Sequence, residues 1–89
     1  MTGFKIIRSD GFHITFENGV TVSVIFGDGA YCNHIRSDGE NVDAELAIWI
    51  NNKQWITREF YPDIDDDVIG HVSPKEVLKA LIWAEAYRS

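Results

Sequence analysis

Residues 11–26, GFHITFENGVTVSVIF, alternate apolar and polar side chains on both sides of a turn, and their reading decides the fold. Phe12, Ile14 and Phe16 point one way, His13 and Thr15 the other, as the two-residue period of a strand requires. After the turn Val20, Val22, Val24 and Phe26 share a face, with Thr21, Ser23 and Ile25 opposite. The Asn18–Gly19 pair invites a two-residue turn, but that register would pair Phe16 with Thr21 and Ile14 with Ser23, mixing the faces. A three-residue loop, Glu17–Asn18–Gly19, pairs Phe16 with Val20, Ile14 with Val22 and Phe12 with Val24. One face is then wholly apolar, so a type I turn with Gly19 left-handed in a G1 bulge is expected. His13 falls opposite Ser23 on the other face, the position of a surface residue.

A second hairpin follows. Ala44, Leu46, Ile48 and Ile50 alternate with Glu45, Ala47 and Trp49, which reads as a third strand. Residues 51–54 supply a turn, and residues 55–60 read as a fourth strand. Its register stays open: a three-residue loop sets Trp49 opposite Trp55 and Ile48 opposite Ile56, but also Glu45 against Glu59. Residues 4–7 read as a short additional edge strand. At the C-terminal end Ser73 is an N-cap, Pro74 suits the first helical position and Glu76 completes a capping box. Val72 and Val77 are spaced as a hydrophobic staple.

Residues 74–88 contain no helix breaker. Val77, Leu78, Leu81 and Ile82 cover one side of that helix, while Ala80, Trp83, Ala84 and Tyr87 widen the apolar arc. That arc is more than twice the ~100° a helix needs to lie on one sheet. Two readings follow: Trp83 and Tyr87 cover the sheet's edge, or they meet a partner helix in a homo-oligomer. Together these elements predict an α+β fold, a single domain over residues 1–89. It comprises an antiparallel sheet of four to five strands, built from two hairpins, with one C-terminal helix packed on a face.

Composition narrows the function. The chain has 89 residues, eight Lys and Arg against fourteen Asp and Glu, and a net charge of -6. Such a balance argues against direct nucleic-acid binding through phosphate neutralisation and against a basic membrane-surface segment. No apolar run approaches the ~20 residues of a bilayer span, and no secretory leader is evident. A soluble protein of the cytoplasm is expected. The acidity is local: residues 28–67 hold ten acids and three bases, while the flanking segments are neutral or slightly positive. Asp63, Asp65, Asp66 and Asp67 fail the calcium-loop pattern in either frame and read as an exposed acidic turn. Such a face can steer a basic partner.

Residues 27–43, GDGAYCNHIRSDGENVD, are the least regular segment and long for a connection in a small domain. Gly29 and its neighbours let a backbone approach a ligand, and Tyr31 can stack on a ring. Asn33, His34 and Arg36 offer hydrogen bonds and charge. Equally, Tyr31 and a buried Cys32 can simply anchor the loop. Cys32 is the only cysteine, which excludes an internal disulfide. No third group is placed to make Cys32 and His34 a nucleophile and base. His13, Cys32, His34 and His71 are too scattered for a zinc motif. No phosphate loop or dinucleotide fingerprint is present. A non-enzymatic protein without metal or cofactor is expected.

The stretch GFHITFENGVTVSVIFGDGAYC, with the later DDDVIGHVSPKEVLKAL, resembles a group of small phage and prophage proteins. In them a hairpin of this type runs into a Tyr-Cys loop, and Gly-x-x-Ser-Pro-x-Glu opens the last helix. The likeness covers roughly 40 residues. It departs after Cys32, where Asn33 follows directly and His34 takes the place two residues on. The resemblance implies a phage-type protein acting in the cytoplasm of a bacterial host, where small proteins antagonise host defence. Two modes are expected. The first is sequestration of a small nucleotide-like signal by Gly29, Tyr31, Asn33, His34 and Arg36, with a second subunit completing the site. The second is an acidic, anti-CRISPR-like inhibitor whose Asp63, Asp65, Asp66 and Asp67 occupy a basic nucleic-acid-binding face of a defence protein. A third reading is a structural or regulatory phage protein that assembles through Trp83 and Tyr87.

Overall fold

The computed structural model describes residues 2–7, 11–26, 44–51 and 54–88. Strands β1 (Gly3–Ile7), β2 (Gly11–Thr15), β3 (Val20–Ile25) and β4 (Ala44–Ile50) run in that order across one antiparallel sheet. The first hairpin takes the register that keeps its apolar face intact, with Phe12 opposite Val24, His13 opposite Ser23 and Ile14 opposite Val22. Gly19 has φ +88° and its amide donates to the Phe16 carbonyl at 2.9 Å, the left-handed closure expected of a G1 bulge. A side chain there would also run into the Asn51 amide oxygen of the neighbouring turn.

The outer edge of β4 differs from expectation. The fourth strand is only β5, Gln54–Trp55, with Trp49 opposite Trp55. The chain then leaves the sheet in the helical turn α1, Thr57–Phe60, and returns as β6, Val68–Val72. β6 pairs with the first half of β4, matching Val68 to Ala47 and Val72 to Ala44. β5 and β6 are thus one interrupted strand along the outer edge of β4, so the antiparallel sheet has five strands, or six when the two pieces are counted apart. Interruption removes the conflict in the uninterrupted register, because Glu59 never comes opposite Glu45. An irregularity in the pairing of β6 coincides with His71 at φ +56°, one extra residue that turns Val72 back into the core.

Helix α2, Pro74–Ala86, opens as the sequence predicts. The Ser73 hydroxyl accepts from the Glu76 amide at 3.2 Å and the Glu76 carboxylate accepts from the Ser73 amide at 3.1 Å. Val72 is buried and Val77 packs against the same core, as a staple requires. The helix lies over β3 and β4, with the fully buried Ala80 and Ala84 against the sheet. Small residues there let helix and sheet approach closely. Val77 and Leu81 flank them, whereas Leu78 and Ile82, expected on the covered side, face outward. The core comprises Val20, Val22, Val24, Leu46, Ile48, Ile56, Ile69 and Val72 under this helix. Among the described residues no helix is long and apolar enough to cross a membrane.

Candidate functional site

The second face of the sheet carries no helix among the described residues. Cross-strand pairing lines up Gly3, Thr15, Thr21, Trp49 and Trp55 in one row. The next row holds Lys5, His13, Ser23 and Ala47. Strand alternation alone puts these side chains together, since each occupies the polar phase of its strand. A cavity of about 480 Å³ opens over this corner, lined chiefly by Lys5, His13, Thr15, Thr21, Trp49 and Asn51. Its volume is in the range of small-ligand sites.

The aromatic groups are ordered by one another. Trp49 meets His13 at 5.0 Å and 85°, and Trp55 at 5.2 Å and 76°, both edge-to-face. Such contacts hold rings in defined orientations. The Thr15 and Thr21 hydroxyls share a hydrogen bond of 2.9 Å; Thr21 is buried at 4% exposure, so Thr15 is the more accessible of the pair. Burial, and then the Lys5 ammonium, hold the His13 imidazole below its ordinary 6.5. At neutral pH His13 is therefore a neutral donor and acceptor, and Lys5 supplies the positive charge. The corner combines an indole wall, two hydroxyls, an imidazole and one cation. Chemically that set can hold a planar, heteroatom-rich molecule bearing negative charge.

A larger hollow of about 690 Å³ lies between the first turn and the end of α2. Its charged lining is mixed, Glu17 and Glu85 with Arg88, around Asn18. The Asn18 side chain is already committed to structure: its amide donates to the carbonyls of Ala84 at 2.8 Å and Tyr87 at 3.0 Å. Its oxygen accepts from the Val20 amide at 3.0 Å. That hollow is a joint of the fold.

The residues singled out in the sequence fall in different places. Gly29, Tyr31, Asn33, His34 and Arg36 lie outside the described residues. Asp63, Asp65 and Asp66 are exposed on the excursion beyond the β4 edge. Asp67 is half-buried, with its carboxylate 3.6 Å from the Arg58 guanidinium. Trp83 and Tyr87 face inward to α1: Trp83 lies 5.5 Å from Phe60 and 5.1 Å from Tyr87. The Tyr87 hydroxyl donates to Glu59 at 3.0 Å, and that bond raises its pKa above the ordinary 10.0. Both side chains are therefore half-buried against α1 and each other. Among the described residues no three His, Cys, Asp or Glu side chains converge as metal ligands.

Strand phase by itself marks His13 as a surface residue and does not group it with Lys5, Thr15, Thr21 or Trp49. The signal becomes readable only once the order of all four strands is known. No protein-family model, curated protein or solved structure matches the chain.

Proposed function

We propose that this is a non-enzymatic binding protein for a small, nucleotide-like anion, acting as a phage-type antagonist of host defence that sequesters a signal. The observation that carries the reading is the cavity in which Trp49, His13 and the Thr15–Thr21 hydroxyl pair face Lys5. A base or similar ring would lie against the Trp49 indole, with its polar edge toward the hydroxyls and His13. Lys5 would meet the phosphate as a point charge. Stacking on an indole contributes ~1–3 kcal/mol per base, so micromolar affinity, about 8 kcal/mol, would need the hydroxyls, His13 and Lys5 to supply most of the rest. The proposal for Gly29, Tyr31, Asn33, His34 and Arg36 as further contacts stands beside this one, with Arg36 a second cation.

Titration calorimetry against a panel of cyclic and linear nucleotides tests the reading, with tryptophan fluorescence as a second readout. Wild type should bind one member of the panel and quench. Trp49→Ala and Lys5→Gln should each weaken binding at least about tenfold while far-UV circular dichroism is unchanged. Arg36→Ala reports on the loop. Absence of binding to every nucleotide at millimolar concentration rejects the proposal.

A second reading rests on the exposure of Asp63, Asp65 and Asp66 on one projecting turn. There the protein would block a basic, nucleic-acid-binding face of a defence protein.

A further inference from the structure

The apolar face of the sheet is wider than the helix that covers it. By register Phe4, Ile14, Val22 and Ile48 form one row on this face, and Ile6, Phe12, Val24 and Leu46 the next. α2 covers the β3–β4 end of both rows. At the β1 end Phe4 and Ile6 remain 80% and 78% exposed. The helix has a matching excess. At 100° per residue, Ile82 points about 180° away from the direction of Ala80 and Ala84, with Leu78 beside it. These two are 62% and 57% exposed. Leu81 lies about 160° around the helix from Trp83. Because Trp83 faces α1 at the β4 edge, Leu81 faces toward β2.

We propose that the two excess surfaces meet in a second copy of this chain. Leu78 and Ile82 of each α2 pack on the Phe4–Ile6 strip of the other copy's β1 and β2, around a two-fold axis. Each helix then lies between its own β3–β4 and its partner's β1–β2, with the Leu81 flanks of the two helices facing one another. The dimensions agree: two strands span ~10 Å, the diameter of one helix. The patch is self-complementary, as an isologous contact requires. Four such side chains on each copy offer roughly 1,000 Å² in total, about the smallest area buried by a specific interface. Charge permits the contact. The acidic turn at residues 63–67 follows α1 on the β4 side, away from the β1 strip, and Glu85, the one acid on the Leu78–Ile82 side of α2, shares that side with Lys75. The strip faces the opposite side of the sheet from His13 and Trp49 by register, although Phe4 also borders the ligand cavity, so Ile82→Lys tests the dimer without touching that cavity.

Sedimentation and light scattering at about 100 μM should give twice the mass of the chain. Phe4→Glu and Ile82→Lys should each weaken self-association by about 100-fold. Neither side chain lies in the chain's own core, so each variant should keep its helical circular dichroism. An equimolar mixture of the two variants should recover a dimer. One reciprocal contact is then native, and the other sets the introduced carboxylate against the introduced ammonium. A wild-type chain that is monomeric at this concentration overturns the proposal. So does a dimer that survives both substitutions, or variant monomers that do not rescue each other.

Discussion

At Thr57 a single hydroxyl replaces the backbone bonds that a continuing strand would make to Ile48. The fully buried Thr57 Oγ1 accepts from the Ile48 amide at 2.9 Å and donates to the Ile48 carbonyl at 3.1 Å. The Ile56 amide adds a bond to the same carbonyl at 2.9 Å. Thr57→Val keeps shape but leaves a buried amide unpaired, and should cost about 1–3 kcal/mol in urea unfolding. Thr57→Ser keeps both bonds and should cost less, about 1 kcal/mol for the lost methyl. Equal losses would show that packing, not the hydroxyl, holds the strand break.

His13 gives a pH prediction at the same scale. Its folded pKa lies below the unfolded 6.5, so below pH 6.5 the unfolded chain binds more protons than the folded one. The contribution of His13 to stability is intact above pH 6.5 and declines as pH falls through the lower folded value. Lys5→Met removes the smaller of the two causes. The imidazole resonance followed by NMR should then titrate at higher pH, though still below the ordinary value because burial remains.

Among the elements, α2 is secured at both ends by different means. The capping box at Ser73 and Glu76 is local and was legible from spacing alone. The C-terminal anchor is not local, because Asn18 reaches the helix carbonyls across 66 residues of chain. In sequence Asn18 is a turn residue, and nothing nearby says that its amide points at a helix end. Asn18→Ala should destabilise by about 1 kcal/mol. Asn18→Asp should cost a further ~0.3–1 kcal/mol, since it loses the donors and places negative charge at the negative end of the helix dipole. Thermal melts of the two variants check the order. The outer strand was half legible for a related reason. Trp55 continues the alternation, but whether the chain follows β4 beyond Ile56 is decided by Glu45, Thr57 and the later return of Val68–Val72.

For the whole molecule, four of the acids, Asp63, Asp65, Asp66 and Asp67, fall together on the segment between α1 and β6. Asp63, Asp65 and Asp66 are exposed, and the core is built without them. Changing the three together to Asn should leave the melting temperature within a few degrees in moderate salt. If the inhibitor reading holds, the same change should weaken capture by a basic target most strongly at low ionic strength. Salt-independent capture would remove that reading.

The α+β class, the first hairpin with its three-residue loop, and the helix start follow from the sequence itself. Each rests on residues close together, through the two-residue strand period, the left-handed tolerance of Gly19, and the Ser73–Glu76 spacing. The rest was decided by tertiary structure, because it depends on which distant strands become neighbours. Only the order β1–β2–β3–β4 brings Lys5, His13, Thr21 and Trp49 to one corner of one face. Only the placement of α2 over β3 and β4 leaves Phe4 and Ile6 exposed on the other. Periodicity says that a side chain has a face. Strand order, set by packing over the whole chain, determines what else shares it.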